Sequence, residues 1–197
     1  MTAQRWAWAE IDLGALRHNV ATLAAHVAPQ QMWAVVKADA YGHGAVECAR
    51  VALQSGAHGL CVALVQEGIV LRQAGINAPI LIMSEQPEEQ FRDIIQYGLI
   101  ATLYNESTIV HFARTASELE IMASVHVKVD SGMHRVGVQP DNAVRVASLV
   151  AESQWLTLDG MFTHLATADV ADTQFAQQQV STFMRAVEQV RAVEIEV

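Results

Sequence analysis

The feature that most constrains this chain is a regular alternation. A short apolar run is followed by a longer stretch with apolar residues at three-and-four spacing, and the pattern repeats six times. Apolar runs of strand length beside helix-period stretches mark βα units, and strands that alternate with helices pair in parallel. The runs are MWAVVK (32–37), GLCVAL (59–64), PILIM (79–83), GLIATL (98–103), ASVHVKVD (123–130) and LTLDGMFTHL (156–165). The helices expected after them are 45–54, a segment ending near Gly75, 87–97, a stretch with Asn105 as N-cap, one opened by Pro140 and Asp141, and 172–193. Ahead of the first unit, residues 6–11 read as a strand, and Asp12 reads as the cap of a helix running through Leu16, Val20, Leu23 and Val27. The closing EIEV (194–197) reads as the start of one more strand.

ASVHVKVD is expected to be the longest strand. Val125, Val127 and Val129 alternate in it with His126, Lys128 and Asp130, so one face is apolar and suits helices. The other face is polar, as a barrel lumen is near an active site. This points to an α/β fold of the (β/α)8 TIM-barrel type. A closed barrel takes eight units and roughly 250 residues. With 197 residues and six units, the chain is expected to hold an incomplete barrel as one domain over 1–197. No Pro/Ser-rich linker or low-complexity segment interrupts it.

Composition narrows the partners. Hydrophobic residues make up 52% and charged residues 17%, which excludes disorder. A net charge of −9 excludes nucleic-acid binding through a general basic surface, because phosphate contacts need clustered Lys and Arg. A local basic pocket for a small phosphate stays open. No apolar run approaches a membrane span, and no apolar core follows a basic start at the N-terminus, so neither span nor signal peptide is expected. Cys48 and Cys61 sit among apolar residues and read as small buried hydrophobes, in a reducing, cytoplasmic setting.

Lys37 closes the first apolar run. In α/β barrels catalytic groups sit at the C-terminal ends of strands. Alternation puts Lys37 on the face of Val35 and opposite Val36. A lysine partly desolvated there gives up its proton more easily, as an amine must to join an aldehyde. The plainer reading is a lysine whose stem packs while its head reaches water. For a strand-end lysine taken alone, the plainer reading is the better one. Tyr41 can reach an anion through its hydroxyl, Gly42 and Gly44 let the backbone turn tightly, and His43 reads as a loop residue.

The stretch AVVKADAYGHG (34–44) closely resembles the cofactor-lysine signature of the pyridoxal-phosphate-dependent alanine racemases of fold type III. The resemblance implies that Lys37 holds pyridoxal 5'-phosphate as a Schiff base and that Tyr41 hydrogen-bonds its phosphate. HVKVDSGMHRVG (126–137) is similar to the family's segment with a lysine, an aspartate and an arginine after a strand. It implies Arg135 near the cofactor's phenolic oxygen and the substrate, with Lys128 as a candidate carbamylated lysine that holds it. A neutral amine on a polar strand face can take up carbon dioxide and pair with Arg135; the alternative is a Lys128–Asp130 ion pair. FTHLATAD (162–169) resembles the family's histidine segment and implies His164 beside the cofactor ring, where alternation sets it on the face of Phe162. Taken alone, a core histidine is the other reading. WAEIDLGALRHNV (8–20) resembles the family's N-terminal segment. His126 and His134 lack metal spacing with an acidic partner, so no metal is expected.

The implied function is interconversion of L- and D-alanine, with Lys37, Arg135 and His164 catalytic and D-alanine supplied for cell-wall synthesis. The family's second acid/base is a tyrosine from a C-terminal β-domain of the other subunit, and Tyr97 and Tyr104 match no such position. Against the family, the chain is expected to end before the seventh and eighth strands and that β-domain. An incomplete barrel has unpaired edges, so a homo-oligomer is expected. Three alternatives stay open: a pyridoxal-phosphate-binding truncated barrel without turnover, a broader amino-acid or serine racemase, and a doubly wound protein for another phosphate ligand. The last lacks a GxGxxG or P-loop signature.

Overall fold

The computed structural model of the chain describes residues 7–196. Two compact units divide it, Met1–Ile80 and Leu81–Val197. In the first, the Asp12 carboxylate accepts the amides of Gly14 at 2.8 Å and Ala15 at 3.0 Å. This satisfies donors that a helix start leaves unpaired. Helix α1 (Leu13–Val27) follows, and its Val20 packs with Ala52, Ala57, Leu16, Met32 and Ala34. Strand β1 (Met32–Val35) leads into α2 (Lys37–Gly42), then α3 (Ala45–Gln54), β2 (Ala57–Val62) and α4 (Val65–Gln73). β1 and β2 are parallel, with Met32 opposite Ala57 but Trp33 opposite Gly59. One extra residue, His58, is thus inserted in β2, as in a β-bulge.

β3 (Ile80–Ile82) spans the division between the units. In the second unit a 3-10 turn (Glu88–Gln90) precedes α5 (Phe91–Gln96). Then come β4 (Ala101–Leu103), α6 (Glu106–Leu119), β5 (Ala123–Lys128), α7 (Ala143–Ala151), β6 (Leu156–Phe162) and α8 (Gln174–Arg191). Strands β4, β5 and β6 pair in that order, all parallel. α7 packs on β5 and β6, and α8 and α6 pack on α7. Val125, Val127, Val146 and Val150 are buried, and Phe91 meets Phe112 edge-on at 5.1 Å. This apolar layer covers one face of β5, as its alternation predicts, and leaves Ser124, His126 and Lys128 for the other.

Six βα units are present among the described residues, from β1–α3 to β6–α8. Four local expectations are corrected. Residues 7–12 form no strand, Trp6 lies outside the described residues, and the backbone turns instead into the Asp12 cap. β6, with seven residues, is longer than β5 with six, because the 129–138 segment folds back: the Asp130 amide donates to Val138 O at 2.9 Å. Asn105 stands at the N-cap of α6 without capping it; its side-chain amide donates to Glu85. Residues 194–196 are not strand, and Val197 lies outside the described residues.

Candidate active site

Lys37 follows directly on β1. Val36 is buried and Val35 is 41% exposed, so the half-buried Lys37 shares the open face with Val35. The segment after it, expected as a plain loop, is a turn of left-handed helix. Ala38, Asp39, Ala40 and Tyr41 have φ of 51°, 54°, 52° and 56°. Residues with a Cβ lose about 1–2 kcal/mol each in that region, so four in a row require external bonds. The Ala40 amide donates to Val36 O at 2.9 Å and the Gly44 amide to Asp39 O at 2.9 Å. The Asp39 carboxylate accepts the Ala45 amide at 2.6 Å, which also starts α3. Glu67 of α4 accepts the Ala38 amide at 2.7 Å. The turn carries Tyr41 up beside the lysine: Lys37 Nζ stands 5.9 Å from the Tyr41 ring centre, and the ring is 61% exposed. A cleft of about 450 Å³ lies nearby, with Ile11, Leu16, Val35, Ala40, Tyr41 and Cys48 in its walls. Lys37 is not in those walls, so the cleft does not define the amine's surroundings.

Lys128, Arg135 and His164 stand in the second unit. Lys128 is only 4% exposed; its Nζ donates to Met83 O at 3.2 Å and lies 5.1 Å from the centre of the Phe162 ring. Phe162 reaches that face because β6 also carries an inserted residue: Val125 pairs with Leu158, but His126 pairs with Gly160. The insertion at Asp159 reverses the alternation, so Gly160 and Phe162 join His126 and Lys128 on one face. Burial pushes the His126 imidazole below its ordinary value, against an opposing pull from Asp159.

Arg135 is exposed in a tight loop that closes on the end of β5, where the Val138 amide donates to Lys128 O at 2.8 Å. Gly137 has φ +132°, and an added Cβ would stand 2.7 Å from the Asp130 nitrogen, so no other residue fits there. Asp130 accepts the amides of Gly132 at 3.0 Å and His134 at 2.9 Å. Burial raises its carboxyl, but the His134 and Gly132 amides outweigh that and hold it below the ordinary value. None of these contacts reaches Arg135. His164 is exposed two residues past β6. Gln179 of α8, 1% exposed, clamps its loop: it donates to His164 O at 3.2 Å and accepts the Ala166 amide at 2.8 Å. The Ser131 and Thr163 hydroxyls, 2.8 Å apart, tie the β5 and β6 loops together.

Sequence reading did not single out Glu67, Glu85 or Gln179. Glu85 does for the Tyr104 and Asn105 amides, both at 2.7 Å, what Glu67 does for Ala38. Gln179 left a faint signal, a polar residue on the stripe that α8 buries with Ala186, Val187 and Val190. Both cysteines are buried and free, and burial pushes the Cys61 thiol up to about 11, which suits inert packing. Among the described residues no group of His, Cys, Asp and Glu is placed to hold a metal, and no helix is long and apolar enough to cross a membrane.

The family model "Alanine racemase, N-terminal domain" matches residues 11–197. The alanine racemase of Nostoc sp. is 43% identical over 195 residues, which cover 97% of this chain and 50% of that protein. That of Desulfovibrio desulfuricans is 40% identical over 186 residues, covering 94% and 50%. Among solved structures, the Clostridium difficile alanine racemase complex with cycloserine superposes with a TM-score of 0.90 at 34% identity, over 98% of this chain and 54% of that one. The Bacillus anthracis alanine racemase with bound L-Ala-P superposes at 0.91 with 29% identity, over 100% and 51%. The chain therefore spans about half the length of the relatives it matches. It belongs to the alanine racemase family and has the α/β fold of that family's N-terminal barrel domain.

Proposed function

We propose that this chain holds pyridoxal 5'-phosphate through Lys37 and supplies the barrel half of an enzyme that interconverts L- and D-alanine. The observation that carries the reading is the seat of Lys37, an amine at a strand end whose flanking backbone is pinned by a left-handed turn. The donor set fits the group. Lys37 offers the amine for the aldehyde and Tyr41 a hydroxyl for the phosphate, and Arg135 and His164 are exposed donors.

When bound, the group supplies an electron sink that makes the Cα–H bond of an amino acid removable. Lys37 Nζ takes and returns the Cα proton on one face. Arg135 would offset negative charge on the bound group and the substrate carboxylate, and His164 would help to hold the group. Lys128, nearly buried, is the lysine proposed to take up carbon dioxide, losing a proton to solvent and becoming an anion that pairs with Arg135. The resemblance assigns the proton donor on the opposite face to the family's C-terminal β-domain. D-Alanine for cell-wall synthesis, a homo-oligomer and a cytoplasmic setting complete the reading; the two free thiols support a reducing compartment.

Incubation with pyridoxal phosphate and L-alanine in deuterated water tests it. Deuterium is expected at the alanine Cα with the unaltered chain and none with Lys37→Ala. Exchange that survives in Lys37→Ala would contradict the assignment.

A further inference from the structure

Three backbone amides converge on the carboxylate of Glu67, in the first turn of α4. Oε1 accepts Ala38 N at 2.7 Å, and Oε2 accepts Ala63 N at 2.8 Å and Leu64 N at 3.0 Å. Ala38 is the first residue after Lys37, whereas Ala63 and Leu64 are the first two after β2. At the end of the parallel ladder Val36 N donates to Cys61 O at 2.9 Å. Just past it the Glu67 carboxylate links the residues that follow the two strands. Leu64 offers no side-chain oxygen, so α4 keeps only the carboxylate half of a capping box. A helix start needs one such bond. The reach to Ala38, 29 residues away in sequence, serves something else.

What it serves is the direction of Lys37. Two peptide planes flank the Lys37 Cα. The Val36–Lys37 plane is held at its carbonyl by Ala40 N at 2.9 Å. The Lys37–Ala38 plane is held at its N–H by Glu67 Oε1. With both planes held, φ and ψ of Lys37 are fixed, and so is the Cα–Cβ bond along which the side chain leaves the sheet. A lysine has a flexible four-carbon stem, so its amine finds a defined place only if the stem starts from a defined direction. The same bond secures the entry to the left-handed turn that brings Tyr41 beside the amine.

We propose that Glu67 is a positioning residue for Lys37, fixing through the Ala38 amide the backbone from which the amine meets an aldehyde. The inference rests on the reading that Lys37 takes the aldehyde of pyridoxal phosphate. All three amides donate, so the site needs an acceptor at each of the two carboxylate oxygens. Glutamine keeps shape and one acceptor but turns an N–H donor toward another donor.

The test compares the unaltered chain, Glu67→Gln and Arg72→Lys. Arg72 clasps Ile76 O and Ala78 O elsewhere in the same unit and serves as a control for plain destabilisation. Each chain is titrated with pyridoxal phosphate, reduced with borohydride and mapped by peptide mass. Thermal unfolding is recorded alongside. Glu67→Gln is expected to weaken cofactor affinity about tenfold and to lower the share of label on Lys37 relative to Lys128, the only other lysine of the chain, while Arg72→Lys keeps affinity and selectivity. Unchanged affinity and selectivity in Glu67→Gln, or equal losses in Arg72→Lys, would overturn the inference while leaving Lys37 as the cofactor residue. No label at Lys37 in the unaltered chain overturns the underlying reading and the inference with it. Hydrogen exchange on the unaltered chain needs no variant to fold: the Ala38 amide is expected to be protected like those of Ala63 and Leu64, and free exchange there overturns the proposal.

Discussion

The imidazole of His126 lies flat against Gly160 on the neighbouring strand: a Cβ added at Gly160 would stand 3.1 Å from its Cε1. The glycine lies just past the residue inserted in β6, the insertion that brings Phe162 over Lys128. β1 and β2 use the same device, with the Trp33 ring 2.6 Å from where a Cβ on Gly59 would be. Gly160→Ala forces the ring away and is expected to destabilise the chain by about 1–3 kcal/mol, as overpacking of a fitted interior does. Gly59→Ala, with the shorter distance and a larger ring, is expected to cost at least as much. Urea unfolding of both variants checks this.

Acid should weaken the fold through His126. Burial lowers its folded-state pKa below the ordinary value of 6.5, with Asp159 pulling the other way. Above pH 6.5 the group is neutral in both states and stability is flat. As pH falls below that value, the unfolded chain binds the proton first, so stability declines until the folded-state pKa is reached. His126→Phe cannot take up a proton and is expected to flatten that part of the curve. Unfolding free energies at a series of pH values give the comparison; an unchanged slope would show that His126 does not carry it.

The left-handed turn predicts an unusual substitution pattern at an exposed site. Ala38 has φ of 51° and its side chain is exposed, so backbone conformation alone sets the effect. A β-branched residue is a severe misfit in this region, whereas glycine enters it freely. Ala38→Val is expected to lower stability by about 1–3 kcal/mol, and Ala38→Gly to leave it nearly unchanged. Thermal unfolding of the pair decides.

Gln179 is expected to matter more for order than its place on a helix suggests. Its amide satisfies both the His164 carbonyl and the Ala166 amide while 1% exposed. Gln179→Leu keeps the volume but leaves both backbone groups without that partner, at about 1–3 kcal/mol for each group left unsatisfied. The Ala166 amide should then exchange with solvent much faster, with the Gly14 and Ala15 amides at the Asp12 cap unaffected.

The parts legible in the sequence were those set by local chemistry. Asp12 caps α1 as its side chain dictates, α3 runs over Ala45–Gln54 as its periodicity predicts, and the valines of β5 are buried in alternation. Lys37 emerges at a strand end because the apolar run stops there. The illegible parts depend on partners distant in sequence or on violated local rules. Non-glycine residues avoid positive φ, so nothing local announces the turn at 38–41. Inserted residues at His58 and Asp159 shift register without a turn signal, since what fixes them is a ring on the facing strand. Asn105 reads as a cap, but Glu85 binds both its amide and its side chain and so removes it from that role. Glu67 and Gln179 read as ordinary helix-surface residues until the strand-end loops fold against them.

Reductive labelling of the unaltered chain with pyridoxal phosphate and borohydride tests the role of Lys37 most directly. Peptide mapping is predicted to find about one pyridoxyl group per chain, on Lys37, and none at that peptide in Lys37→Ala. Label on Lys128, the only other lysine of the chain, in place of Lys37, or a Lys37→Ala chain that takes up as much as the unaltered one, would contradict it.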